Sequence, residues 1–363
     1  MRNIICLITA LFFSIVFFSP ACSALYGTDE LYDALPGYAA EELEKNGITP
    51  EGGTEKVGIG AVLEIIADSF ADNMGKPLKM FASVTAVIIL SSVMSGMSDA
   101  AGMKSTGVYS LISAAASAVV ICAYMSDIIT VSQKAFSTAS DFMLTYVPVL
   151  AGVAAAVGHT ASAAVYSSVT LTAIQILSRI TSAVIIPLTS CMIGITAAGS
   201  IDPELNLDRL AEGIKKLITW GLGLIMTLFL GVLSVQSIIT ASADNAAMKT
   251  LKFVVSASVP IVGGSVSEAL SSVSGSISIL RSGIGGFGIA AGAFMLLAPA
   301  VTALCCKFLL FAAGVLSDLF GCTSAGKIIR SGENVMSVIL ASLVCIFLFI
   351  TVSSAVLLVF CRS

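Results

Sequence analysis

From Met80 to its C-terminal end the chain is a succession of apolar runs, each about as long as a lipid bilayer is thick, with only short punctuation between them. A hydrocarbon core of about 30 Å takes roughly 17 to 25 helical residues, and inside it each backbone N–H and C=O has to be paired within the segment. On that ruler, spans fall near residues 80–97, 107–126, 142–158, 161–178, 180–198, 217–239, 289–311 and 335–360, whereas 253–286 reads equally as a span, a re-entrant segment or a surface segment. Composition agrees with this: 57% of the 363 residues are apolar, 11% are charged and the mean hydropathy is +1.01, whereas soluble domains run near 45–50% apolar and about 25% charged. The expected fold is therefore all-α: a polytopic protein, multi-pass in the cell membrane, with about seven to eight transmembrane helices. Membrane lipid is its surrounding medium. A net charge of −4 with 18 scattered basic residues excludes nucleic acid as a partner, because a phosphate-binding surface needs a dense Lys/Arg face.

Residues 1–24 read as a cleaved signal peptide. Arg2 supplies the positive end, Ile4 to Phe18 the apolar core, and Pro20 precedes a small-residue site at Cys22, Ser23 and Ala24. Two other readings stay open, a lipoprotein acylated on Cys22 and an uncleaved N-terminal anchor. The next segment, 25–79, carries eleven acidic residues against four lysines, a balance that suits the extracytoplasmic side. Within it Leu31, Leu35, Ala39 and Leu43 recur at helical spacing before Gly47, and Val57, Ala61, Ile65 and Phe70 mark a second amphipathic stretch. Two short helices are expected there, lying on the membrane surface or against partners. The remainder, 80–363, is the polytopic domain. Its basic residues fall on both sides of any threading, so they do not set the orientation.

Several patterns that suggest chemistry lead nowhere. The nine cysteines include no C-x-x-C pair and His159 is the only histidine, so neither a metal site nor any other cofactor is expected. "GIGGFG" at 283–288 satisfies G-x-G-x-x-G, but it enters an apolar span and follows no strand; Gly283, Gly285, Gly288 and Gly292 read instead as places where helices approach closely. "SAGK", ending at Lys327, lacks the upstream glycine of a phosphate loop. With no paired carboxylates, histidine cluster or Ser-Lys dyad in the spans, the chain does not read as an enzyme.

An internal comparison singles out other residues. "YVPVLAG" at 146–152 and "SVPIVGG" at 258–264 share V-P-x-x-x-G, with Pro148 and Pro260 separated by 112 residues; Pro187 and Pro299 are 112 apart as well, as are Lys104 and Lys216. This suggests a duplicated unit, roughly 104–215 and 216–327. Proline-interrupted helices at matching places in two halves are a device for lining a pathway, since the freed backbone groups need protein or water to cover them. The candidate pathway or helix-break residues are Pro148, Gly152, Pro260, Gly263, Gly264, Glu268 and Arg281. Glu268 lies in a serine-rich stretch, and Arg281 follows it as a possible charge partner.

A signal followed by "LYDALPGYAAEELEKNGI", polytopic spans and "FVVSASVPIVGGSVSEALSSVSGSISILRSGIGGFGIAAG" resembles the stage III sporulation protein AE family of endospore-forming bacteria, over nearly the whole chain. The most specific parts are the P-x-x-G-G stretch and the element Leu280, Arg281 and Gly285, where Arg281 replaces an expected lysine and keeps the charge. The resemblance implies a polytopic subunit of a channel or secretion-like complex that links the mother cell to the engulfed forespore and is needed for late forespore gene expression. It implies as partners the other proteins of the stage III sporulation A complex, including a secretion-type ATPase, and a forespore channel protein. The implied location is the mother-cell membrane surrounding the forespore, and no catalytic residue is carried over. The residues alone leave a second possibility, a self-contained secondary transporter with two repeated halves.

Overall fold

The computed structural model describes residues 28–48, 59–100, 106–156, 159–201, 207–258 and 263–360, and the regular elements among them are all helical. In chain order they are α1 (Thr28–Asp33), α2 (Gly37–Lys45), α3 (Ile59–Asn73), α4 (Gly75–Ala100), α5 (Thr106–Ala156), α6 (Thr160–Ile180), a π-helical turn (Thr181–Ile185), α7 (Ile186–Ile201), α8 (Leu207–Ser258), α9 (Gly263–Leu319) and α10 (Thr323–Phe360). The expected signal peptide and Pro260 lie outside the described residues.

Six stretches are long and apolar enough to cross a membrane: Gly75–Met94, Ala114–Ala156, Thr160–Gly199, Arg209–Gln236, Gly283–Leu319 and Ser324–Val356. The expected seven to eight spans are thereby corrected to six among the described residues. Two expected pairs have merged, 107–126 with 142–158 inside α5, and 161–178 with 180–198 in the continuous rod α6, π turn, α7. The reason is local. What separates the apolar runs is charge, Asp127, Lys134 and Asp141 in α5 and Arg179 in α6, and a charged side chain lowers hydropathy without breaking the backbone hydrogen-bond ladder. Pro148 does not end α5 either; the helix continues through it to Ala156, as α9 continues through Pro299.

The last helix lies at the centre. α10 packs against α5, α6, α7, α8 and α9, and Val335, Met336, Val338, Ile346 and Ile350 along it are fully buried. It follows α9 through a tight hairpin at Gly321, which has φ +72. There the Cys322 N–H donates to Ser317 O (2.9 Å) and the Gly321 N–H to Asp318 O (3.2 Å), the reach-back pattern that closes a helix on a left-handed glycine. Gly47, at φ +66, ends α2 in the same manner, with the Ile48 N–H donating to Leu43 O at 2.9 Å. This matches the helix stop expected at that glycine.

The stripe Leu31, Leu35, Ala39 and Leu43 is buried as its spacing suggests, but its cover is the chain's own bundle. α1 packs on α5, and α2 and α3 pack on α9. The Tyr32 ring sits 5.5 Å from that of Phe287, and the Tyr38 hydroxyl donates to Met295 O at 3.3 Å. Partial burial raises the pKa of that hydroxyl above its ordinary value, so it stays protonated and able to donate. An amphipathic stripe shows that something apolar covers it, not whether the cover is lipid, a partner or the same chain.

Candidate functional site

Between membrane helices, burial of leucine or isoleucine supplies little net force, because lipid is as apolar as the side chains; close packing and interhelical polar contacts decide which helices associate. In this bundle the polar contacts converge on α10. The Tyr146 hydroxyl of α5 pairs with Ser354 Oγ at 2.8 Å and donates more weakly to Gly285 O of α9 at 3.4 Å. The Tyr166 hydroxyl of α6 pairs with Ser353 Oγ at 2.7 Å. Further along α10, Thr196 of α7 pairs with Ser331, and Lys215 Nζ of α8 donates to Asn334 Oδ1 at 2.7 Å. One helix thus carries a hydroxyl and amide seam that four other helices meet with complementary groups.

Packing around the upper contact is tight. Tyr146 is fully buried and stacks on Phe142 with ring centroids 5.3 Å apart. A Cβ at Gly288 would lie 2.2 Å from the Tyr146 ring, and one at Gly292 would lie 3.1 Å from Ile350. Gly288 and Gly292 are therefore close-approach positions, as expected of them, and Gly288 makes the seat for the tyrosine. A Cβ at the neighbouring Gly286 would meet nothing within 4 Å.

The residues singled out from the sequence lie elsewhere. Pro148 and Gly152 stand on the exposed side of α5, one turn apart, while Val147 and Ala151 beside them face inward. Gly263 and Gly264 open α9, and Glu268 and Arg281 lie within it. Thirteen residues of one continuous helix put the backbones of Glu268 and Arg281 about 20 Å apart along its axis. Pro187 is exposed just after the π turn, and Pro299 is buried. Among the described residues, ion pairs join helices elsewhere, Lys76 Nζ to Asp127 Oδ2 at 2.8 Å between α4 and α5, and Arg330 with Asp318 across the α9–α10 hairpin. Cys305, Cys306 and Cys345 are buried and free, in keeping with small apolar fillers.

Sequence reasoning missed the tyrosine and serine seam. The available signal was the presence of Tyr146, Tyr166 and the Ser353–Ser354 pair deep within apolar runs, where an unpaired hydroxyl is costly.

A family model described as Stage III sporulation protein AE matches residues 47–360 of the chain. The chain is similar to the stage III sporulation protein AE of Bacillus subtilis (strain 168), at 25% identity over 194 residues, which is 53% of this chain and 49% of that protein. The chain thus aligns with about half the length of this curated relative. No solved structure matches it.

Proposed function

Because this chain belongs to the stage III sporulation protein AE family, we propose that it is the large membrane-embedded subunit of a channel or secretion-like complex linking the mother cell to the engulfed forespore, and that it works from the mother-cell membrane around the forespore. Family membership places it with the stage III sporulation A operon, whose other products, a secretion-type ATPase among them, are its proposed partners together with a forespore channel protein. The family is one of sporulation membrane proteins not known as enzymes, and this chain is a multi-pass member with six candidate spans.

The observation that carries the complex reading is a mismatch of length. The apolar stretch of α5, 43 residues from Ala114 to Ala156, runs for about 65 Å at 1.5 Å per residue, twice the roughly 30 Å that a bilayer core covers. Apolar side chains face outward along about 38 Å of it, from Val119 to Leu144. Apolar surface beyond the reach of lipid marks an interaction face. Partner proteins are its natural cover.

An affinity-tagged chain, solubilised in mild detergent from sporulating cells, is expected to retain the other proteins of the complex. Recovery as a lone protein that carries solute across vesicles would instead establish the self-contained transporter. We extend the proposal to an internal duplication, on two grounds: the 112-residue spacing of the prolines, and the common order of α5 followed by the α6–α7 rod and α8 followed by α9. In that register Pro148, inside α5, corresponds to Pro260, which falls between the end of α8 at Ser258 and the start of α9 at Gly263.

A further inference from the structure

Midway along the bundle two cavities meet at one residue. The outer cavity, about 170 Å³, is lined by Asp72, Lys76, Asp127, Ser132 and Thr302, among others. The inner one, about 30 Å³, lies between α5, the π turn, α7 and α10; its polar lining is Ser132, Thr181, Thr189 and Ser342, with Gln133 at its exposed edge. Ser132 belongs to both walls.

The four inner hydroxyls fall into two kinds. Thr189 donates its proton to Ile185 O at 2.6 Å, and Ser342 donates to Val338 O at 2.9 Å. Both retain lone pairs but have no proton left to give. Ser132 and Thr181, 7% and 3% exposed, have no hydrogen-bond partner in the protein, so each has a proton to give. Thr181 also opens the π turn, where the Ile186 N–H reaches back five residues to Thr181 O. That register widens the helix beside the cavity, and such turns recur at functional sites.

Two free donors and two free acceptors around one small space match the hydrogen bonding of a single water molecule, which donates two bonds and accepts two. The volume suffices, since a cavity of about 10–15 Å³ already admits a water and a buried one typically has two to four polar partners. We propose that the inner cavity holds a water that accepts from Ser132 and Thr181 and donates to Thr189 and Ser342, and that Ser132 connects it to a hydrated vestibule at the Lys76–Asp127 pair. Together the two cavities form a water inlet that reaches from the outside of α4 and α5 to α10, the central helix. The inlet rests on the cavities alone and does not require the assembly proposed above.

Two measurements on the full chain test it. In purified protein with its native cysteines, Thr181→Val keeps the shape of the side chain and removes the donor. A hydrated site loses a bond to its water, so the melting temperature is expected to fall by a few degrees, and Ser132→Ala is expected to do the same. A dry cavity would be relieved of an unpaired hydroxyl, and a rise in melting temperature for Thr181→Val would overturn the proposal. The second measurement uses a cysteine-free variant in membranes, carrying Ser132→Cys and treated with 2-aminoethyl methanethiosulfonate. Lys134→Cys, exposed on α5 and outside both cavities, and Ala139→Cys, fully buried on the same helix, set the fast and slow limits. Ser132→Cys is expected to react within about tenfold of the Lys134→Cys rate, because its position borders the hydrated vestibule, where a thiolate can form. Reaction as slow as at Ala139→Cys would show that no water reaches Ser132.

Discussion

A methyl group on Gly288 would come within 2.2 Å of the Tyr146 ring, so Gly288→Ala has to push a fully buried tyrosine off both Phe142 and Ser354. Overpacking of this kind costs about 1–3 kcal/mol, and a lower melting temperature of the detergent-solubilised protein is the expected result. Gly286→Ala, two residues away with open space around it, is expected to hold or raise the melting temperature, because alanine favours a helix by about 1 kcal/mol over glycine. Tyr146→Phe keeps the ring and loses the hydroxyl. Ser354 keeps its bond to Ile350 O at 2.8 Å, so the loss should stay near the 0.5–1.5 kcal/mol of a single hydrogen bond, smaller than that of Gly288→Ala. At this scale the sequence was half legible. Gly288 of "GIGGFG", and Gly292 after it, read correctly as close-approach residues once the missing strand excluded a nucleotide loop. Which of the motif's glycines mattered was hidden, because the ring that selects Gly288 comes from a helix far away in the chain.

Elements were legible by type and misread by number, and the cause is visible in α5. Hydropathy falls at Asp127, Lys134 and Asp141, which looks like the gap between two spans, yet each of these residues is compatible with a helix and the backbone passes through them unbroken. Pro148 was read as a break for the opposite reason, since a proline removes a hydrogen bond wherever it sits. Here it stands on an exposed face where the loss is tolerated. A mid-helix proline costs about 3 kcal/mol relative to alanine, so Pro148→Ala is expected to raise the melting temperature. A fall would show that the local geometry at Pro148 is needed for the fold. The amphipathic α2 poses a question of sidedness. Glu42, on its outer side, is 45% exposed in its side chain, and the proposed signal peptide would carry it out of the cytoplasm of the cell that makes it. Glu42→Cys in a cysteine-free variant is expected to react with an impermeant thiol reagent added to intact cells, and labelling only after lysis would place α2 inside.

For the whole molecule, the arrangement that matters most is that the helix touching all the other long ones from α5 onward follows all of them in the chain. Translation delivers domains from the N-terminus at about 5–20 residues per second, so α4 to α9 enter the membrane before the side chains that Tyr146, Tyr166, Thr196 and Lys215 pair with have left the ribosome. Until Thr323–Phe360 arrives, the membrane holds helices that touch one another, α5 with α4, α6 and α9 among them, but lack the polar partners that α10 supplies. Closure of the bundle is then expected to wait for α10. A chain ending at Cys322 is expected to insert but to be degraded within minutes in a pulse-chase experiment. Residues 323–363 supplied as a separate membrane peptide should restore its lifetime; failure of the added helix to do so would mean that closure depends on the α9–α10 hairpin and not on the seam. Assembly is thus tied to chain order: the helix on which α5 to α9 converge follows all of them, so a copy cut short at Cys322 lacks the element that joins them.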